Sequence, residues 1–539
     1  MSSAGAPGPG AASEDLKNGP CSHGVDTIVA LPQSYINFEL QNLLNSGVTT
    51  AGRSLRDVEF SIGQSRWLRG KVSKLSTVLY VPGKPSSVKF IVEFGSGTMD
   101  LPPAPPGPPP PPVNIAGLAI GFEVNLKLRD VQQDETLPPE VRKEIEALLT
   151  NVGKGAFRVR QLLMDFENAA LARHDPELSH FPPGMDEASR NAFKEQLHHY
   201  LTTLHQAGAN TLGYSVKVDN PGGKADPVAT FLPTDLRIVT NPYRAGGDPA
   251  ALNPKLDTIL FLMMTQGRSF PAEFPEWWGN FVSPETQDGM SYGRMLVSNR
   301  VFVQDFVLPR LSPIVNKQLL LNDSWENGLE PKFKEVTGTF EPFEFGGKWD
   351  PAASSSHSHV TNALSNDDAF YTYDVNTRLH VSNNVIVIGR VTRFTFKYVH
   401  WYGVTGHSLT SEAKVVYEIP LDIVITLTGI HDGQLNTSAA LRTKEPKQNT
   451  LYGQPYGWYI KSWEGGPTVF ADVINTFLTT FERAIQSAVP GTMLKDAVRQ
   501  IEEGLRLSPF VFPGGNQLFM RDPKFVWLGD LALGLSYKK

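Results

Sequence analysis

Two stretches with a hydrophobic period of two constrain this 539-residue chain more than any motif in it. Leu118, Ile120, Phe122, Val124, Leu126 and Leu128 alternate with Ala119, Gly121, Glu123, Asn125 and Lys127. Val415, Tyr417, Ile419, Leu421, Ile423, Ile425 and Leu427 alternate with Val416, Glu418, Pro420, Asp422, Val424 and Thr426. A period of two sends successive side chains to opposite faces, so each stretch makes a strand with one buried and one wet face. Such strands suit antiparallel sheets better than parallel sheets covered by helices on both sides. Pro420 has no N–H to offer a ladder, which assigns it to an edge or a bulge.

Other stretches carry the longer period of a helix. Leu296, Val301, Phe302, Phe306, Leu308, Ile314, Val315, Leu319 and Leu320 mostly recur every three to five residues. That spacing predicts an apolar-faced helix over most of Arg294–Asn322, interrupted at Pro309 and Pro313. Gly24–Gly47 echoes it with Ile28, Val29, Ile36, Leu40, Leu43 and Leu44 on one face and Pro32 inside. The words Tyr35–Leu40 and Ile314–Leu319 share a β-branched residue, an Asn and a Leu in register. Further helices are predicted over Pro138–Leu149, Ala156–Ala172 and Met185–His205, and over Thr468–Leu507 with a break at Pro490–Gly491. Strands are predicted within Val58–Leu101, Tyr214–Thr265 and Phe340–Trp463 and in two closing segments. Runs of strands alternating with blocks of helix make the fold class α+β.

Residues 1–23, rich in Gly, Pro, Ala and Ser, read as a disordered tail, and 24–539 as the folded part, with 24–290 and 291–539 as its two sub-units. The run Pro102–Pro112 is either a stiff surface connector or a ligand for an aromatic groove. In the loop Phe270–Phe281 the adjacent Trp277 and Trp278 cannot both face inward on a strand. The loop is therefore a packing anchor or the rim of a ligand or partner site.

The formal net charge of −6 gives no electrostatic reason to expect nucleic acid. No apolar run approaches the roughly 18 residues needed to span a bilayer. The first residues lack the basic start and apolar core of a Sec signal peptide, so the expected location is cytoplasmic, or outside by a non-Sec route. The single cysteine, Cys21, excludes an intramolecular disulfide and Cys-based zinc sites. The sequons at Asn322 and Asn436 would matter only in a secretory compartment.

Catalytic signals are sparse. Gly289–Gly293 matches the G-x-S-x-G nucleophile elbow, with Ser291 as the candidate nucleophile, but the polar VSPETQD before it is no buried strand. His357 and His359 lie in a Ser-rich stretch that reads as a loop, and His198, His199 and His205 lie on a helix. Neither cluster supplies third and fourth ligands at zinc spacing. Asn366–Asp368 reads as a turn. Walker A, G-x-G-x-x-G and H-E-x-x-H patterns do not occur, so neither a cofactor nor a metal is expected.

Three words look like one family. Gly24-Val25-Asp26-Thr27-Ile28-Val29, leading to Ile36-Asn37, resembles the G-W-D-T-V…V-N opening of the TULIP-like, OrfX-type proteins encoded beside clostridial botulinum neurotoxin genes, with Val25 replacing the aromatic. Trp67–Leu101, ending Val92-Glu93-Phe94-Gly95-Ser96-Gly97-Thr98-Met99, is similar to that group's strand region. The closing PGGNQLFMRDPKFVWLGDLALGLSY, with Phe519, Asp522, Gly529, Asp530 and Leu531, is similar to its final hairpin.

The resemblance implies long helices wrapped by a strongly curved antiparallel sheet, with an apolar groove that holds lipid in the wider superfamily. It makes the chain a non-enzymatic binder of lipid or another hydrophobic small molecule, with transient membrane contact. The candidate lining is Ile36, Leu40, Leu43, Phe302 and Phe306 from helices and Phe122, Val124, Ile423 and Ile425 from strands, with Trp277 and Trp278 at the mouth. Core packing explains each of these residues equally well. Two alternatives stand beside this reading: an accessory component with a protein partner in a toxin or other complex, and a hydrolase using Ser291.

Overall fold

The structure is a computed structural model. It describes residues 19–47, 54–62, 66–101, 110–131, 139–150, 157–167, 174–183, 185–218, 231–282, 293–315, 317–321, 333–337, 344–345, 352–364, 368–404, 407–431, 434–443, 447–452, 491–504, 510–511, 518–526 and 529–537, besides isolated positions. Most of the Pro-rich run, Ser291 and most of Thr468–Pro490 lie outside the described residues. The chain divides into two compact units, residues 1–301, 507–522 and 530–539 in the first and 302–506 and 523–529 in the second.

In chain order the first unit starts with β1 (Thr27–Pro32), α1 (Gln33–Ser46), β2 (Asp57–Ile62), β3 (Arg66–Val78), β4 (Ser87–Met99), β5 (Val113–Asn114) and β6 (Ala119–Asp130). It continues with α2 (Pro139–Thr150), β7 (Phe157–Met164), α3 (Glu187–Gln206), β8 (Thr211–Val218), β9 (Pro233–Asn241), β10 (Thr258–Thr265) and β11 (Gly293–Val297). A helix with π geometry over Arg300–Val307 and α geometry over Leu308–Val315, the latter named α4, leads into the second unit. There follow β12 (Lys317–Leu321), β13 (Phe333–Thr337), β14 (Glu344–Phe345), β15 (Ala352–Leu364), β16 (Asp368–Ser382), β17 (Val385–Val404), β18 (His407–His431), β19 (Gln434–Thr443), β20 (Lys447–Tyr452) and α5 (Gly491–Gly504). The chain closes with β21 (Phe510–Val511), β22 (Leu518–Phe525) and β23 (Leu531–Tyr537).

The first unit holds two sheets. One has six strands in the order β22-β23-β11-β1-β10-β9, and the other runs β2-β3-β4-β6-β7-β8-β21 with β5 beside β4. β1 and β10 are buried at every position, because each is an apolar run between two neighbours. β6 shows the expected alternation instead, burying Ile120, Phe122, Val124 and Leu126.

Three helix expectations are corrected. Ile28 and Val29 belong to β1, and the helix begins only at Gln33, since Pro32 biases Leu31 before it toward extended backbone. Ala156–Ala172 contains β7, whose ladder is shared with β6 and β8 on both sides. Arg294–Asn322 splits into β11, the π and α helix, and β12, so Leu296, Leu319 and Leu320 lie on strands. Pairing of β11 with β1 and β23, and of β12 with β13, outweighs the helical period there. Tyr35–Leu40 therefore lies inside α1 while Ile314–Leu319 crosses from α4 into β12, and that word marks no structural repeat.

α3 is the best-defined long helix. Asp186 caps it by accepting the Ser189 N–H at 2.8 Å, and Glu187 in the first turn and His205 in the last complement its dipole. Its buried face holds Phe193, Gln196, Leu197, Tyr200, Leu201 and Leu204, at helical spacing.

The second unit contains a seven-stranded sheet, β14-β15-β16-β17-β18-β19 with β20 also on β18. All its described pairings are antiparallel. Ile388 stands opposite Leu379 and Ile423, and Ile386 opposite Val381 and Ile425, all buried. In the next row Gly389 stands opposite Arg378, which is exposed, and Asp422. Farther along, Phe394 is in register with Tyr373 and Tyr417, and the neighbouring row is Asp374, Arg393 and Glu418. Pro420 falls between Glu418, where pairing with β20 ends, and Leu421, where pairing with β19 begins. The missing donor thus sits at a local gap in an interior strand. The Ser-rich stretch with His357 and His359 is β15 rather than a loop, paired along most of its length with β16. α5 begins at Gly491, directly after Pro490, and buries Leu494, Ala497, Val498 and Ile501.

Candidate functional site

The candidate lining residues belong to the interiors of two units. In the first, Ile36 and Leu40 are buried on α1 and Leu43 is half-buried, while Phe122 and Val124 are buried on β6. In the second, Phe302 and Phe306 are buried in the π turns, with rings 6.1 Å apart and Phe302 5.9 Å from Phe525. Ile423 and Ile425 are buried on β18. The candidate lining residues are therefore divided between the two units.

In the first unit the sheet and α3 enclose an aromatic layer that sequence reasoning passed over. Phe90 on β4 lies 5.9 Å from Phe122 and 4.8 Å from Phe166. Phe94, four residues along the same strand and hence on the same face, lies 5.5 Å from Phe193 on α3. Tyr200, two turns beyond Phe193, approaches Phe60 at 6.5 Å and donates its hydroxyl to the Leu55 carbonyl at 2.9 Å. Burial pushes the Tyr200 phenol well above its usual range. The available signal was the pair of spacings, four residues on a strand and seven on a helix, at Phe90/Phe94 and Phe193/Tyr200.

The tryptophan pair lies in a loop and its two rings differ in burial. Trp278 is buried, 5.6 Å from the His23 ring and 5.5 Å from Phe274, and its backbone N–H donates to Asn241 Oδ1 at 2.9 Å. Trp277 is half-buried, donates its indole N–H to the Pro242 carbonyl at 3.2 Å, and has the Arg244 guanidinium 5.5 Å from its ring. Gly279, at φ +88°, admits no Cβ because the Gly19 carbonyl occupies that space. The loop is knitted to the N-terminal segment, where Cys21 donates its N–H to the Trp278 carbonyl at 3.1 Å.

Two family-like words meet in a polar clasp. Asp26, fully buried, accepts the Thr265 N–H at 2.8 Å and hydroxyl at 3.0 Å, Arg268 Nε at 2.8 Å and Arg300 at 2.6 Å. Asp530 accepts the Ser22 N–H at 3.0 Å and the Asn299 N–H at 2.9 Å. Burial raises the Asp530 carboxyl, and burial with the nearby Asp530 charge pushes the Cys21 thiol up to about 11. A thiol so shifted stays protonated near neutral pH and is a poor nucleophile. Both carboxylates tie chain segments together, which is a structural task.

The G-x-S-x-G word leads into the wrong element for a nucleophile elbow. Its last glycine, Gly293, opens β11 in an antiparallel sheet, where the elbow requires a helix to follow the serine. Of the helical histidines, His199 stacks on Phe60 at 6.1 Å, and His205 faces Asn210 at 3.0 Å and Glu167 at 3.6 Å. Among the described residues no group of three or more His, Cys, Asp or Glu is arranged to hold a metal ion, and no helix is long and apolar enough to cross a membrane.

Compared with solved structures, the chain is similar to P47 from Clostridium botulinum A2, at a TM-score of 0.49 and 9% identity over 97% of this chain and 100% of that one. P47 of Clostridium botulinum E1 gives a TM-score of 0.46 and 10% identity over 96% of this chain and 100% of that one. A lipopolysaccharide binding protein gives 0.28 and 9% over 95% of this chain and 99% of that one. No protein-family model and no curated protein matches the chain. The architecture itself is α+β, with a strongly curved antiparallel sheet and few helices.

Proposed function

We propose that the protein is a non-enzymatic binder of lipid or another hydrophobic ligand, taken up between a helix and the apolar face of an antiparallel sheet. The observation that carries this reading is the aromatic layer between α3 and the β2–β8 sheet, where Phe94 meets Phe193 and Phe60 meets Tyr200. An apolar ligand entering there gains roughly 25 cal/mol per Å² of apolar surface withdrawn from water, with no chemical step. In the second unit Ile386, Ile388, Ile423 and Ile425 stand in register as a buried apolar patch on an antiparallel sheet.

The test is native mass spectrometry of the full chain purified under mild conditions, followed by organic extraction. A defined lipid retained at close to one per chain supports the reading, and a chain that stays empty after incubation with mixed phospholipid vesicles overturns it. A second reading, an accessory component of a protein complex, is favoured by Phe38 on α1 and Leu252 before β10, 51% and 46% exposed. Stable assembly with a partner by an empty chain, lost on Phe38→Ser, would select it.

A further inference from the structure

Within that aromatic layer one residue breaks the apolar rule. Gln196 is 0% exposed, and neither its amide nitrogen nor its amide oxygen has a hydrogen-bond partner. Its place on α3 is defined by what lies one turn to either side. Phe193, three residues earlier, meets Phe94, and Tyr200, four residues later, meets Phe60. Ala192, four residues earlier, contributes only a methyl group to the same buried face. Gln196 therefore carries two donors and two acceptor sites into an interface built of rings.

A buried primary amide with both ends unmatched is expensive, because it gives up its water without compensation. A single internal water is a poor remedy, since a stable one needs two to four polar partners. The hydroxyl of Tyr200, the nearest buried polar group along the helix, is already committed to the Leu55 carbonyl. The group that satisfies Gln196 must present an acceptor and a donor together and must arrive through apolar surroundings.

We infer that Gln196 is the polar anchor of a ligand subsite between α3 and the β2–β4 strands, taking the head of a single-chain amphiphile such as a protonated fatty acid or fatty amide. The carbonyl oxygen of such a head accepts from the Gln196 amide N–H, and its O–H or N–H donates to the Gln196 amide oxygen. The acyl chain takes the place of ring contacts along Phe94, Phe193 and Phe60. This inference rests on the ligand-binding reading above and specifies where the head group sits.

The experiment titrates the full-length wild-type chain and Gln196→Met with 11-(dansylamino)undecanoic acid, read by dansyl fluorescence, and compares the thermal midpoints of the two free chains. Methionine keeps the length of the side chain and removes the amide. The expected result is saturable binding by wild type, at least about tenfold weaker binding by Gln196→Met, and a thermal midpoint no lower in the variant. Equal affinity of the two chains overturns the subsite and leaves the ligand-binding reading intact, whereas no binding by wild type overturns both. A lower midpoint in the variant with unchanged affinity assigns the amide to internal water and also overturns the subsite. Should Gln196→Met fail to fold, wild type labelled with 10-azistearic acid decides the matter. Crosslinks within 187–206 support the subsite, and labelling confined elsewhere overturns it.

Discussion

β1 and β11 run antiparallel as neighbours, Thr27 opposite Val297 and Ala30 opposite Arg294, and each passes into a helix within three residues. At the first passage Pro32 hands over directly to α1 with no side-chain cap. The helix is held by neutral amides: Gln33 donates its N–H to the Asp257 carbonyl at 2.8 Å and accepts the Leu79 N–H at 2.8 Å. Asn37 accepts the Thr77 N–H at 2.7 Å and hydroxyl at 2.9 Å. At the second passage an ion pair joins the backbone contacts. Ser298 donates its N–H to the Asp26 carbonyl at 2.9 Å, Asn299 donates to the Asp530 carboxylate, and Arg300 pairs with Asp26. Proline supplies a fixed φ at the first passage, so weak local bonds suffice. The second begins in π geometry, and there Asp530 satisfies the Asn299 N–H while Asp26 satisfies the Arg300 guanidinium.

The largest effect should come from breaking the charged passage. Asp26→Ala leaves Arg268, Arg300 and the Thr265 N–H without their shared acceptor, and removing one member of a buried ion cluster costs about 3–5 kcal/mol. Arg300 is 41% exposed and regains water, so the lower end of that range is expected, read as a shift in the urea midpoint followed by tryptophan fluorescence. The matched change at the neutral passage is Asn37→Ala. It removes the side-chain partner of Thr77 at a half-buried site and should cost about 1–2 kcal/mol by the same assay. Equal losses from the two variants would erase the distinction between the passages.

A smaller effect concerns pH. Burial raises the Asp257 carboxyl to about 6, against the Tyr243 N–H that favours its ionised form. A carboxyl with a folded pKa above its unfolded value takes up its proton first in the native state. Its contribution to stability therefore grows as pH falls from about 6 toward 4 and is unfavourable above that window. Asp257→Asn should flatten the stability profile between pH 4 and 6, measured as urea midpoints against pH. An unchanged slope would show that the Asp257 carboxyl does not set the pH dependence in that window.

Much of the architecture was readable in the chain. The alternation around Phe122 specified a one-sided antiparallel strand because side-chain direction on a strand depends only on parity, whereas around Ile423 the expected wet face also buries Val424. The capping Asp186 and apolar stripe of α3 were equally local. Gly24–Gly47 and Arg294–Asn322 misled because short apolar runs satisfy both periods, and strand neighbours hundreds of residues away decided Ile28 and Leu296. The polar clasp was half visible: Asp26 and Asp530 stood in the family-like words, but nothing local joins Asp26 to Arg268 and Arg300 or Asp530 to Ser22.

By itself the sequence determined the fold class, the parity of the strands and the places where proline ends or interrupts an element, since these follow from bonds and sterics within a few residues. Tertiary structure alone decided which apolar residues share an interior, that the candidate lining residues divide between two units, and that Gln196 is buried among rings without a partner. Burial depends on which distant segments meet, and no local period carries that information.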